Sequence, residues 1–255
     1  MQCFTGISVQ YNAITNQGLA VIAPPLKNFT NLTGLDLSCN SINATTQNGE
    51  AADILADIIS SLPCLQRFNM SSNRTKGSLA KILSSTVQPL TMLRISGCGL
   101  NEADLSYLLG SNHQLEELDV SDNNILNCFS LFLSLIRKFA TTLVILEMED
   151  VGLQAEEFAL LFETLLQLPK LRLLNVARNS HLVKTVVVDA IAFLIMTPRL
   201  QAVKLSYPLD IEVSSEAEEQ QVISKKKEFS HLIEHVVSRL CVLHKRCSLR
   251  LAFKL

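Results

Sequence analysis

The feature that most constrains this chain is a spaced recurrence of leucine and asparagine. The string L-x-x-L-x-L-x-x-N/C-x-L occurs, with substitutions, eight times along the 255 residues. Clear copies are Leu32, Leu35, Leu37, Asn40, Ile42, and Leu115, Leu118, Val120, Asn123, Ile125. The Asn/Cys position falls at Asn12, Asn40, Asn73, Cys98, Asn123, Val151, Asn179 and, in a degenerate eighth copy, Pro208. The steps between these positions are 28, 33, 25, 25, 28, 28 and 29 residues. Units of that size cannot bury an apolar face alone. They bury it on their neighbours, so the chain must stack into a solenoid.

Within each unit the apolar residues at spacings of three and two point to one side of a short strand, and those between point to the other. After the strand, the Asn or Cys side chain turns inward and satisfies backbone groups that the bend would bury unpaired. Asn12, Asn40, Asn73, Cys98, Asn123 and Asn179 are therefore expected to form a structural ladder, with Val151 interrupting it. Between strands lie helical patterns, such as Gly49–Ile59, Glu102–Leu109 and Ala155–Phe162, with acids in the first turn where the helix dipole favours them. A strand plus a full helix in about 28 residues is the ribonuclease-inhibitor type of leucine-rich repeat. The expected fold is an α/β horseshoe, with a parallel sheet on the concave face and helices on the convex face.

Composition narrows the function classes. With 22 Lys plus Arg against 24 Asp plus Glu, the net charge of −2 argues against a nucleic-acid binder. No apolar run is long enough to cross a membrane, and no secretory signal is visible at the N-terminus. The seven widely spaced cysteines, without a CxxC, read as reduced thiols. Five Asn-x-Ser/Thr sequons occur, but Asn73 is itself a ladder position. A cytoplasmic protein is expected, with the nucleus as the alternative.

The repeats occupy 1–209, and 210–255 reads as a second unit. It comprises an acidic loop over 210–219, a long helix over 220–245 and a closing strand over 248–253, suited to capping the solenoid. At the other end Phe4, Ile7 and Val9 would be bare, so a preceding section is expected.

Three stretches resemble the PRAME / leucine-rich repeat-containing protein 14 family. They are Leu93–Leu109, Thr141–Leu153, and Tyr207-Pro208-Leu209 with the acidic loop and long helix that follow. The resemblance covers about residues 30–255. It implies an intracellular interaction scaffold, an adaptor or negative regulator that acts on NF-κB signalling by binding an IκB kinase. Its alternative implication is the substrate-recognition subunit of a cullin-2/elongin ubiquitin ligase. In that family the cullin- and elongin-binding region precedes the repeats and is expected to lie outside this chain. A string resembling an elongin box, Leu243-x3-Cys247-x3-Leu251, follows Val242 rather than a small residue and is read as packing.

No catalytic string is present, so no enzyme, cofactor or metal is expected. His231-x-x-Glu234-His235 has the inverted zinc-protease spacing but no downstream acid. Cys241-x2-His244-x2-Cys247 lacks a fourth ligand, and the Lys225-Lys226-Lys227 run reads as a solvated cap face. The informative surface is the concave one. Its central outward row runs Ser8, Asp36, Asn69, Arg94, Asp119, Glu147, Asn175, Lys204. Around the fifth and sixth repeats Glu117, Asp119, Asp122, Glu147, Glu149 and Asp150 gather six carboxylates. Arg67 and Arg94 flank them on one side, and Arg172, Arg178 and Lys204 on the other. Like charges on paired strands destabilise. The cluster is either surface charge balanced by these cations or a groove that captures a basic or amphipathic segment of a protein partner. In the second case the contact residues are Arg94, Glu117, Asp119, Asp122, Glu147, Glu149, Asp150 and Arg178.

Overall fold

A computed structural model describes residues 4–179, 193, 197, 199–206 and 250–254. Among the described residues one sheet of nine strands forms, with every strand parallel to its neighbour and strand order following chain order. The strands are β1 Gly6–Ser8, β2 Gly34–Asp36, β3 Arg67–Asn69, β4 Met92–Arg94, β5 Glu117–Asp119, β6 Ile145–Glu147, β7 Leu173–Asn175, β8 Ala202–Ser206 and β9 Arg250–Lys254. Because strands pair only with their sequence neighbours, the sheet stays open, as a solenoid's must. Between them lie helices α1 Thr15–Leu26, α2 Gly49–Ser60, α3 Leu79–Leu83, α4 Glu102–Gly110, α5 Phe129–Lys138 and α6 Ala155–Leu166. The molecule is a leucine-rich repeat horseshoe.

The register explains the leucine spacing. Ile7, Leu35, Phe68, Leu93, Leu118, Leu146, Leu174 and Val203 stand side by side in the middle of their strands. From Leu35 onward this file is buried. The helices pack on it from the convex side through Leu55, Ile58, Leu105, Leu108, Phe132, Ile136 and Leu161. Truncating one such leucine to alanine costs about 2–5 kcal/mol. On the convex surface Lys27–Asp57 and Lys81–Asp53 bridge neighbouring helices at 2.6 Å each. Being solvent-exposed, they add at most about 1 kcal/mol apiece.

The bend after each strand repeats one backbone conformation. Tyr11, Cys39, Ser72, Gly97, Asp122, Asp150 and Arg178 all have φ between 53° and 61°. Each lies one residue before the Asn-equivalent position. Six of the seven are not glycine, and for them this left-handed geometry costs on the order of 1 kcal/mol. The ladder offsets that cost. Asn123 Oδ1 accepts from the backbone N–H groups of Cys98, Gly99 and Leu100 at 3.1, 2.8 and 3.0 Å. Its Nδ2 donates to the carbonyls of Ile95, Val120 and Ser121 at 2.9, 2.8 and 2.9 Å. Asn40, Asn73 and Asn179 do the same between their own repeat and the one before. Cys98 fills its rung as a thiol that donates to the Met70 carbonyl at 3.3 Å, and burial pushes that thiol up to about 12. At Val151 the side chain can offer nothing, and the Ile125 N–H turns to the Val151 carbonyl instead, at 3.2 Å.

The N-terminal end departs from the sequence reading. Asn12 is exposed and bonds only to Val9 and Gln10 carbonyls through its side chain. Ile7 and Val9 are half-buried against the core rather than bare, Ile7 from the inward position of β1 and Val9 from the residue just after the strand. Phe4 alone stands out, 59% exposed and edge-on to Phe29. At the other end β9 lies parallel to β8, with Ala202 opposite Arg250. The acidic loop, the long helix and the motifs on it (His231 to His235, Cys241 to Cys247, the lysine run) lie outside the described residues.

Candidate functional site

Strands three residues long leave two outward rows on the concave face. The first row reads Gly6, Gly34, Arg67, Met92, Glu117, Ile145, Leu173, Ala202. The second reads Ser8, Asp36, Asn69, Arg94, Asp119, Glu147, Asn175, Lys204 in the same order. The parallel register puts each residue beside its counterpart on the next strand, so any charge sequence along a row is a surface pattern.

The six carboxylates do come together, and they are not alike. Glu117 is paired with Arg94. Arg178 reaches Asp150 at 3.1 Å, Glu149 at 3.6 Å and Asp122 at 3.8 Å. That convergence follows from the bends, since Asp122, Asp150 and Arg178 all occupy the left-handed corner and project at the same rim. Glu149 is buried at 8% exposure, and its carboxylate accepts from Asn175 Nδ2 at 3.0 Å. Asp122 also accepts from the Ser96 hydroxyl at 3.0 Å. Four of the six therefore meet an arginine within the protein, Glu117 its own and Asp122, Glu149 and Asp150 one between them.

Asp119 and Glu147 differ. They face each other across β5 and β6. Among the described residues neither makes an ion pair. Asp119 accepts from the Ser121 N–H at 3.0 Å, and Glu147 accepts from Asn175 Nδ2 at 2.9 Å. Burial pushes the Asp119 carboxyl above its ordinary range and the Glu147 charge adds to this, while the Ser121 bonds and Arg94 hold it back. A like-charge pair of this kind is destabilising in the free protein. Arg172, expected to flank the cluster, donates instead to the carbonyls of Pro169 and Leu171, at 3.4 and 3.2 Å.

The other half of the face carries a hollow. A side chain at Gly6 would meet nothing within 4 Å, and one at Gly34 would meet only Arg67 Cβ at 3.8 Å. With Ser8, Asp36 and Asn69 they floor a cavity of about 480 Å³. Arg67 and Met92 stand in its wall and in that of a second hollow of about 210 Å³ that reaches Glu117 and Ile145. The Arg67 side chain is exposed, and its Nε contacts Met92 Sδ at 3.4 Å. Reading the central outward row alone missed Gly6, Gly34, Met92, Ile145 and Leu173. The row two residues earlier was open to the same reading.

Nothing in this arrangement assembles a nucleophile with a base, and no group of three or more metal-ligating side chains occurs among the described residues. Among those residues, no helix is long and apolar enough to cross a membrane.

Comparison with known proteins agrees with the fold and the resemblance. The chain is 28% identical over 183 residues to mouse (Mus musculus) leucine-rich repeat-containing protein 14, covering 69% of this chain and 37% of that protein. To the Xenopus laevis protein of the same name it is 27% identical over 213 residues, covering 80% and 41%. It thus spans about two-fifths of these relatives' length. Among solved structures, a Bacteroides fragilis protein superposes with a TM-score of 0.50 at 17% identity, covering 80% of this chain and 59% of that one. The leucine-rich repeat-containing protein LegL7 of Legionella pneumophila gives 0.45 at 15% identity, covering 80% and 74%. The model of the PRAME C-terminal domain matches residues 22–240, most of the chain, and the protein belongs to the PRAME family.

Proposed function

We propose that this chain is a non-enzymatic interaction scaffold that holds a protein partner on its concave face, as an adaptor or negative regulator of signalling in the cytoplasm or nucleus. The observation that carries the reading is the Asp119–Glu147 pair. Every other acid of the cluster makes an ion pair with an arginine, and these two lie side by side with no ion pair among the described residues, although Arg94 stands next to Asp119. A surface kept at an electrostatic cost in the free state is suited to a partner that relieves it. The expected contact residues are Arg94, Glu117, Asp119, Asp122, Glu147, Glu149, Asp150 and Arg178, with Glu149 acting from beneath as support.

The test is photo-crosslinking in cells, with the reactive residue placed at Ile145 in the groove or at Leu160 on the convex surface, which is 52% exposed. Defined protein adducts from Ile145 and none shared with Leu160 are expected. Equal adducts from both would sink the concave-face reading. Family resemblance makes an IκB kinase the first partner to probe for among the adducts, with elongin and cullin-2 as the alternative. Recovery of elongin and cullin-2 with this chain alone would favour the ligase reading.

A further inference from the structure

Resting on the concave-face reading, we infer that the preferred occupant is an extended, bipolar peptide segment that sets an acidic residue on Arg67 and a basic residue on the Asp119–Glu147 pair, with small or apolar residues between. Three separate features of the face point there.

The first is Arg67. Arg94 is committed to Glu117, and Arg178 to three acids, but Arg67 makes no ion pair among the described residues. It stands beside the hollow floored by Gly6 and Gly34, where the absence of side chains lets another backbone approach the sheet closely. The second is the acidic pair, which has its negative charge on adjacent strands and makes no ion pair among the described residues, Arg94 beside it being committed to Glu117. The third is apolar surface at both points. Met92 and Ile145, both half-buried, are the outward residues of β4 and β6 in the first row, and Leu173 follows on β7. Glu117, paired with Arg94, stands between Met92 and Ile145 in that row, so the apolar contacts form two patches, Met92 beside Arg67 and Ile145 with Leu173 beside the acidic pair.

The separation sets the spacing of the occupant. Arg67 is in the first row of β3, and the acidic pair is in the second row of β5 and β6. Strands lie about 4.8 Å apart and rise about 3.3 Å per residue. Two and a half strand spacings with a two-residue offset make about 14 Å, or about four residues of extended chain. A helix would need about nine residues for the same reach, and its own side chains would hold its backbone off the glycine floor. The register also fixes polarity along the solenoid: acid toward the N-terminal repeats, base toward the middle ones. Charge complementarity of this kind discriminates against the reversed peptide, because like charges would meet at both points.

The experiment uses the full chain and a peptide-display library of ten-residue segments. One Asp/Glu and one Lys/Arg are fixed at spacings of two to eight, with the remaining positions drawn from small and apolar residues. Enrichment at spacings of three to five is expected. Against a synthetic peptide of the enriched form, Arg67→Glu should weaken binding at least tenfold, and exchanging the peptide's acid for lysine should restore it. Asp119→Asn with Glu147→Gln should also weaken binding at least tenfold. Enrichment without a preferred spacing, or a peptide indifferent to both variants, overturns the inference. A library that yields nothing overturns it too. If Ile145 still crosslinks to proteins in that case, the interaction surface stands and only its bipolar occupant falls; if Ile145 falls silent as well, both fall.

Discussion

Asn123 and Asp119 are four residues apart in the same repeat, yet their polar groups meet opposite fates. The Asn123 side chain is 1% exposed and makes six hydrogen bonds, three accepted and three donated, all to backbone. The Asp119 carboxylate accepts from its own bend and faces a second carboxylate. One side chain closes the protein on itself, and the other leaves an interaction unmade. In a solenoid both kinds recur along the chain at the same period, so periodicity alone cannot tell a folding residue from a binding one. Their hydrogen-bond partners can.

That contrast can be broken at several points. The largest effect is expected at Asn123→Ala, about 3 kcal/mol in denaturant melts, because buried N–H and C=O groups on two repeats lose their partner together. A loss below about 0.5 kcal/mol would show that the ladder does not hold the bends. Next is Asp104, 1% exposed, whose carboxylate accepts from the N–H groups of Gly77, Leu79 and Asn101 at 2.8, 3.0 and 3.2 Å. Asp104→Ala should cost about 2–3 kcal/mol, and Asp104→Asn less, since one oxygen is kept.

His113 supplies a pH test. It is 3% exposed, its Nδ1 accepts from the Leu90 N–H at 3.3 Å, and burial first, then Lys138, lowers its pKa to about 4. Between pH 4 and the unfolded value of 6.5 the unfolded chain binds the extra proton, so acidification destabilises the fold. Going from pH 7 to pH 5 should remove about 2 kcal/mol, and His113→Gln should flatten that slope. An unchanged slope in the variant would assign the acid sensitivity elsewhere. Asp119 works with the opposite sign. Its raised folded-state pKa means that the native protein holds its proton longer, so this group's contribution falls as pH rises from the ordinary 3.8 through the raised folded value.

Smaller effects sharpen the comparison. Val151→Asn places a polar side chain at a fully buried position, normally a costly exchange. Here the rung awaits it, and stability should change by less than about 1 kcal/mol, against a far larger loss for Leu146→Asn in the buried leucine file of the sheet. Smallest of all, Asp119→Asn with Glu147→Gln should move stability by no more than about 0.5 kcal/mol, toward the stable side, while weakening partner capture. A large destabilisation would reassign the pair to the fold.

Much of this was legible in the sequence because a solenoid writes its geometry locally. The leucine spacing placed the strands, the acids of Glu102 and Glu156 marked helix starts, and the Asn positions marked the bends. What it could not convey was pairing across repeats. Arg178 meets Asp150 from 28 residues away, and Arg94 meets Glu117 from 23. Those partnerships divide the six acids into four that meet an arginine and two that make no ion pair among the described residues. Asp104 looked like an ordinary first-turn acid, and only its burial beneath the preceding repeat reveals its bonds to Gly77 and Leu79. The hollow at Gly6 and Gly34 was hidden for a related reason: two glycines 28 residues apart form one space only when their strands pair.

The ladder also has a direction in time. Asn40 completes the bend at Asn12 and Ile14, Asn73 that at Asn40 and Ile42, Asn123 that at Cys98 to Leu100, and Asn179 that at Val151 and Leu153. Each side chain reaches toward the N-terminus. On a ribosome, every bend would therefore wait for about one more repeat of synthesis before its amides are satisfied, so maturation trails the growing chain by a constant lag. A pause in translation would leave a single unfinished bend at the leading end, with the repeats behind it already sealed.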